Sequence, residues 1–306
     1  GLRTESPALE SVETPPAWVD RAHENLSIVV PIYNPNTERL LLELAAMLLQ
    51  RQTGRIIPLA IALAPGQLDA PTLEEALDRS NTLLQQASEI GDAFGIPTTP
   101  LLRIDDNVAQ GISRFSREQN ATLIIMGWGR RSRLGARFFG SILDQVFWSA
   151  HCPVAVTRLL RSPYELRQIL VPTENLTSQS ITALRFAHEI AMTNQGEITL
   201  LHVSDRTTSP SKKAWIQSQI SLMVKKVCPS VPVNIQIVPS DDVTRAIVET
   251  SKSYDLLVLR SSRRPTSSGG LVLSNITAQV SQQVSCSVIL LSQPHRTAQA
   301  VFLSEP

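Results

Sequence analysis

Short apolar runs alternate with longer stretches in which hydrophobic residues recur every three or four positions, from about residue 26 almost to the end of the chain. Runs such as Leu123 to Met126 carry no polar residue at alternate positions, as expected of parallel strands covered on both faces. The pattern predicts strands near 26–31, 56–63, 98–103, 121–126 and 153–157, with helices near 37–52, 72–94, 107–118 and 140–149. A second series follows, with strands expected near 167–171, 197–203, 232–238, 255–259 and 287–291 and helices near 178–194, 211–227, 242–252 and 274–284. Strand and helix in alternation make each series an open, Rossmann-like α/β sandwich around a parallel sheet.

The second series is a copy of the first. Ile28-Val29-Val30-Pro31 is matched by Ile169-Leu170-Val171-Pro172, and Asn34 by Asn175. Asp106-Asn107-Val108 recurs as Asp241-Asp242-Val243, Leu123 to Met126 as Leu256 to Leu259, and Cys152-Pro153-Val154 as Cys286-Ser287-Val288. Order and spacing hold throughout, the mark of an internal duplication. The organisation read from this is a leading linker at 1–25, one domain at 26–160, a joint at 161–166, a second domain at 167–293 and a tail at 294–306.

Composition narrows the class. The 306 residues carry 28 Lys+Arg against 27 Asp+Glu, with 42% hydrophobic and 18% charged residues. That is too apolar for a disordered chain, and the near-zero net charge gives no bulk attraction to nucleic acid, which is not expected as a partner. The longest apolar stretches, Leu40 to Gln50 and Ile56 to Pro65, fall short of the ~20 residues that span a bilayer. Three cysteines, Cys152, Cys228 and Cys286, have no metal-ligand spacing and fit a reducing, cytoplasmic setting. The chain opens on Gly1, and an acidic, Pro-containing leader follows; both suggest a segment cut from a longer protein. Charge is uneven. Residues 26–160 balance, whereas residues 167–293 hold 12 basic and 8 acidic side chains and all five lysines.

In a sheet of this kind ligands bind beyond the carboxyl ends of the strands, where strand order reverses, so the loops after strands one and four matter most. After strand four the first copy reads Met126-Gly127-Trp128-Gly129-Arg130-Arg131 and runs on to Gly140-Ser141 at a helix start. Glycines let backbone N–H groups approach an anion, and a helix N-terminus adds its dipole and a hydroxyl. This loop resembles the phosphate loop of the universal stress protein family, in which Gly, two residues, Gly, nine residues, Gly and then Ser or Thr precede a Cys-Pro-Val-type strand. Gly127, Gly140 and Ser141 match, while the second glycine falls at Arg130 with Gly129 one place early. The resemblance covers nearly all of 26–293 as a tandem pair.

What the resemblance implies is an adenine-nucleotide site in the first copy, formed by Pro31, Tyr33, Met126, Gly127, Gly129, Arg130, Arg131, Gly140 and Ser141. Family members that bind ATP place an acidic residue after strand one; Tyr33 stands there in the first copy and Glu174 in the second, whose loop from Arg260 to Gly270 lacks the glycine pattern. Tandem domains of the family also resemble the cytosolic tails of some bacterial cation/proton antiporters. The expectation is a cytoplasmic regulatory module, tethered to the inner membrane through a transport domain. It would sense ATP, AMP or cyclic di-AMP without requiring a cofactor, and would form a homodimer. The alternative is a ligand-free dimerisation or interaction scaffold. By resemblance to family dimers, the two copies should pair through their last strands, covering the apolar edges at Val154 to Val156 and Val288 to Leu290.

Other chemistry is thin. No nucleophile and base stand at a recognisable spacing, so an enzyme is not expected and no catalytic residue is assigned. The chain has no Gly-Lys pair, which excludes a P-loop. His151, His188 and His202 are scattered singly and read as core-edge residues, with no metal site. Asp105-Asp106 and Asp241-Asp242 read as helix caps, Trp128 as a packing residue, and Lys212, Lys213, Lys225 and Lys226 as two separate basic patches on one helix.

Overall fold

The computed structural model describes residues 25–33, 35–63, 70–128, 141–174, 178–261, 263–265, 271–273 and 275–292. The first domain runs β1 (Leu26–Pro31), α1 (Pro35–Leu49), β2 (Gly54–Leu63), α2 (Ala70–Ala93), β3 (Leu101–Asp105), α3 (Val108–Glu118), β4 (Leu123–Gly127), α4 (Ser141–Ser149) and β5 (Val154–Arg158). After a single 3-10 turn at Pro163–Glu165 the second repeats it with β6 (Gln168–Pro172), α5 (Ser178–Asn194), β7 (Glu197–Ser204), α6 (Pro210–Val227), β8 (Val233–Pro239), α7 (Val243–Ser251) and β9 (Leu256–Arg260). It ends with β10 (Arg263–Pro265), β11 (Leu271–Leu273), α8 (Asn275–Gln283) and β12 (Ser287–Ser292). The predicted α/β class and every predicted strand and helix are present, with ends shifted by a few residues. The pair β10–β11 is an addition: the segment read as a degenerate loop holds a small antiparallel hairpin outside the main sheet.

Ten strands form one sheet in the order β3-β2-β1-β4-β5-β12-β9-β6-β7-β8. Within this sheet every pairing inside a domain is parallel, and the seam between domains, β5 against β12, is antiparallel. Leu290 lies opposite Val156 and Leu291 opposite Ala155. The expected pseudo-two-fold pairing through the last strands is therefore what the chain adopts. It hides two apolar edges that would otherwise invite other strands.

Alternating strand residues feed two cores. Ile28, Val30, Ile169 and Val171 point into one, roofed by α1, α2, α5 and α6, while Val29 and Leu170 point into the other, beneath α3, α4, α7 and α8. The joint at 161–166 is not a loose linker. Tyr164 stacks on Phe94 with ring centroids 5.5 Å apart, and the amide of Asn194 donates to the carbonyls of Pro163 and Leu166, each at 2.7 Å. Ser162 donates to the buried Glu43 carboxylate at 2.6 Å.

Both copies need a glycine where strand two starts beside strand one. A Cβ on Gly54 would lie 2.4 Å from the Leu26 carbonyl oxygen, and one on Gly196, the residue just before β7, 2.5 Å from that of Arg167. These are backbone atoms held in the sheet, so relief requires moving a strand. Gly196→Ala should cost about 2 kcal/mol, the range for overpacking a filled site, read as a lower denaturation midpoint with an unchanged denaturant slope. Parent-like stability would contradict the tight approach.

The helix caps follow the sequence in one copy only. Asp242 caps α7, accepting from the Arg245 amide at 2.9 Å. In the first copy Asn107 takes the cap, accepting from the Gln110 amide at 3.0 Å. Asp105 instead accepts from the Asn107 amide and pairs with Arg114 at 3.2 Å. Asp106, one place before the extended cap residue Asn107, thus lies too early to reach the first turn. Cys152, Cys228 and Cys286 are buried free thiols, as small hydrophobes would be. Burial pushes Cys152 and Cys228 up to about 12.

Candidate functional site

Strand order reverses between β1 and β4 in the first domain and between β6 and β9 in the second, because each first strand has neighbours that leave it in opposite directions. In each domain one residue after the first strand reaches across that crevice to the end of the fourth. The Tyr33 hydroxyl donates to the Gly127 carbonyl at 2.9 Å. In the matching place the Arg260 guanidinium donates to the Glu174 carboxylate at 3.1 Å. Tyr33 is 54% exposed, and burial around its hydroxyl raises the phenol's pKa.

Of the residues assigned from sequence, Pro31, Tyr33, Met126 and Gly127 converge on the first crevice. Met126 is fully buried in the core beneath α3 and α4, so only its backbone is available to a ligand. Gly127 lies against α1, with Leu41 3.4 Å and Thr37 3.5 Å from where a Cβ would be. That is ordinary contact, so the fold itself does not demand glycine there. Ser141 begins α4; Gly129, Arg130, Arg131 and Gly140 lie outside the described residues. Trp128 is buried, with Arg158 over its ring at 5.5 Å, and belongs to the packing.

The second crevice holds groups that the sequence reading did not assign to a site. A cavity of about 160 Å³ opens between the ends of β6 and β9, lined among others by Thr173, Glu174, Val203, Arg260, Ile276 and Thr277. Ile276 and Thr277 belong to the first turn of α8, whose dipole favours an anion. Arg260 is only 19% exposed, so its cation acts in a partly dry setting. On the other face of the sheet a second cavity, about 340 Å³, shares Thr173 and Glu174 and adds His202, Lys212, Trp215 and Gln219. His202 Nδ1 sits 3.0 Å from the Thr173 carbonyl oxygen, fixing the floor between the two. The available signal was the register itself: aligning the fourth strands puts Arg260 where the first copy has Gly127.

No cluster of His, Cys, Asp or Glu among the described residues has the makings of a metal site, and no described helix is long and apolar enough to cross a membrane. Comparison with known proteins agrees with the fold. Over 270 residues the chain is 41% identical to the Na+/H+ antiporter NhaS5 of Synechocystis sp., covering 88% of this chain and 38% of that protein. The chain thus spans well under half the length of this relative. In fold it resembles a universal stress protein from Archaeoglobus fulgidus, with a TM-score of 0.64 at 18% identity, covering 88% of this chain and 96% of the other. It also resembles the cytoplasmic domain of a prokaryotic cation chloride cotransporter, with a TM-score of 0.57 at 11% identity over 88% and 95% of the two chains. The sequence profile of the universal stress protein family matches residues 25–158 and again 165–292; the chain belongs to that family, as a tandem of two such domains.

Proposed function

We propose that this chain is the nucleotide-sensing module of a cation/proton antiporter, binding an adenine nucleotide such as ATP, AMP or cyclic di-AMP and performing no chemistry on it. The observation that carries the reading is the second-domain cavity at the strand-order reversal, where apolar walls meet Arg260, Thr277 and the start of α8. Such a pocket offers a base its apolar faces and a phosphate its cation, hydroxyl and helix dipole. The first-domain loop, with Gly127, Gly129, Gly140 and Ser141, is the second place for a nucleotide on the strength of its motif. The transport link rests on the antiporter relative. In a longer protein of that kind the module would lie on the cytoplasmic face of the inner membrane, held by the transport domain. A homodimer of tandems fits the same proposal and would have to use surfaces other than β5 and β12, which this chain pairs internally.

One observation favours the scaffold alternative. Both crevices are bridged by the chain's own side chains, Tyr33 to Gly127 and Arg260 to Glu174. A thermal-shift series with ATP, ADP, AMP, cyclic AMP and cyclic di-AMP separates the two readings. A binding nucleotide at a hundred times its Kd should stabilise by about 2.7 kcal/mol. Arg260→Ala should abolish the shift if the second cavity is the site, and Gly140→Val if the first-domain loop is. No shift with any of the five leaves the scaffold.

A further inference from the structure

We propose that the outer face of α6 is a docking surface for an anionic lipid bilayer. The inner side of this helix is spent on the core, with Ile220 and Val227 buried and Ile216, Met223 and Val224 packed against them. The solvent side carries Trp215 and Leu222, each 62% exposed, with Trp215, Lys212 and Gln219 also rimming the cavity of about 340 Å³ beside His202. Trp215 and Leu222 stand close to two helical turns apart at ~3.6 residues per turn, hence on one face. Lys212 lies one turn before Trp215 and Lys226 one turn after Leu222, so a single stripe runs Lys212, Trp215, Gln219, Leu222, Lys226, with Lys225 alongside. The two basic patches expected from the sequence thus lie close to four turns apart and share one face through Lys212 and Lys226.

Helix stability does not account for these lysines. Lys225 and Lys226 sit in the last turn, where the dipole favours cations, but Lys212 and Lys213 sit at the opposite end, where it opposes them. The helix has no acidic residue, and none of its four lysines has an ion-pair partner among the described residues. A cationic face with exposed Trp and Leu is what a helix lying in a bilayer interface presents, the indole at headgroup depth and the lysine stems reaching past it to lipid phosphates.

The matching helix of the first domain supplies the orientation. α2 lies on the same face at the other end of the sheet and carries Glu74, Glu75, Asp78, Glu89 and Asp92 against Arg79. An anionic surface attracts the α6 end and repels the α2 end, so the tandem stands on the bilayer by its second domain. The acidic α2 of a second copy would match the lysines alone: no large hydrophobic is exposed among its described residues to meet Trp215 and Leu222. A bilayer accommodates both.

Co-sedimentation of the 306-residue chain with phosphatidylcholine vesicles, with and without phosphatidylglycerol, tests this. The chain should pellet with the anionic vesicles at low ionic strength, leave them at high ionic strength, and ignore phosphatidylcholine alone. Each lysine lost should weaken partitioning roughly fivefold, so the Lys212→Glu, Lys226→Glu double variant should fall by well over tenfold. Lys252→Gln, on the far side of the sheet and paired with Glu249, should bind as the parent does. Tryptophan emission should shift to the blue on binding, and the shift should vanish in Trp215→Phe. Three results overturn the proposal: no pelleting of the folded parent at low salt, unchanged binding by a folded double variant, or salt-sensitive self-association without vesicle binding, which would give the face to α2 of a second copy.

Discussion

Replacing Arg158 with alanine is expected to destabilise the protein by about 3 kcal/mol, the largest loss foreseen for a single side chain at the seam. Arg158 ends β5, in the first domain, yet its guanidinium serves the second. One nitrogen donates to the Ser281 carbonyl at 3.2 Å and the other to those of Val284 and Cys286 at 2.7 and 3.3 Å. These carbonyls belong to the end of α8 and the residues just beyond it, where the helix leaves acceptors unsatisfied and its dipole favours a cation. The same group covers the Trp128 ring. Truncation would strand several acceptors at once, and hydrogen bonds to a charged group contribute about 1.5–3 kcal/mol each before their non-additivity is allowed for. Arg158→Lys should recover only part, because an ammonium cannot span the same carbonyls in a planar fork. Equilibrium urea denaturation measures both variants; an alanine variant within about 0.5 kcal/mol of the parent, the ordinary surface range, would show that the seam is held by its strand ladder alone.

The pseudo-symmetry is broken at this point. Ser292 stands at the end of β12 where Arg158 ends β5, and its hydroxyl is buried without a partner among the described residues. One domain thus clasps the other, and the clasp is not returned.

The strands were legible because continuous runs such as Leu123 to Met126 can satisfy their apolar faces only inside a covered parallel sheet, and duplication fixed the rest by repetition. What escaped the reading depends on contacts distant in sequence. Arg263-Arg264-Pro265 has no strand-like alternation, yet pairs with Leu271–Leu273. Tyr164 in the joint looked like part of a spacer until Phe94, from the end of the α2 segment, supplied a ring to stack on. The glycine loop of the first domain announced itself through its motif. The second cavity did not, because its charge comes from Arg260 at a place where the motif expects glycine, and only the strand register brings Thr277 and Glu174 beside it. Glu38 is the sharpest case. Nothing in the sequence marks it, in the first turn of a helix and beside Arg39, as buried.

Glu38→Gln should therefore stabilise the protein near neutral pH rather than weaken it. The carboxyl is 2% exposed, and Oε1 has no hydrogen-bond partner among the described residues. Burial pushes its pKa from an ordinary 4.5 up to about 7, outweighing the dipole of the first turn of α1, which favours the anion. Between those two values the folded state holds a proton that the unfolded state has released. Stability is thus highest below pH 4.5 as far as this group is concerned, and it falls as pH rises toward 7. A displacement of that size corresponds to about 3 kcal/mol once the pH exceeds both values. Glutamine keeps the shape and does not titrate. The variant and the parent should unfold at similar urea concentrations near pH 4, diverge as pH rises to about 7 and stay a constant distance apart from there to pH 8, with the variant ahead by about 3 kcal/mol. Other carboxylates drop out of this comparison because both proteins share them. Parallel stability curves across that range would mean that Glu38 is charged in the folded protein and solvated by its surroundings.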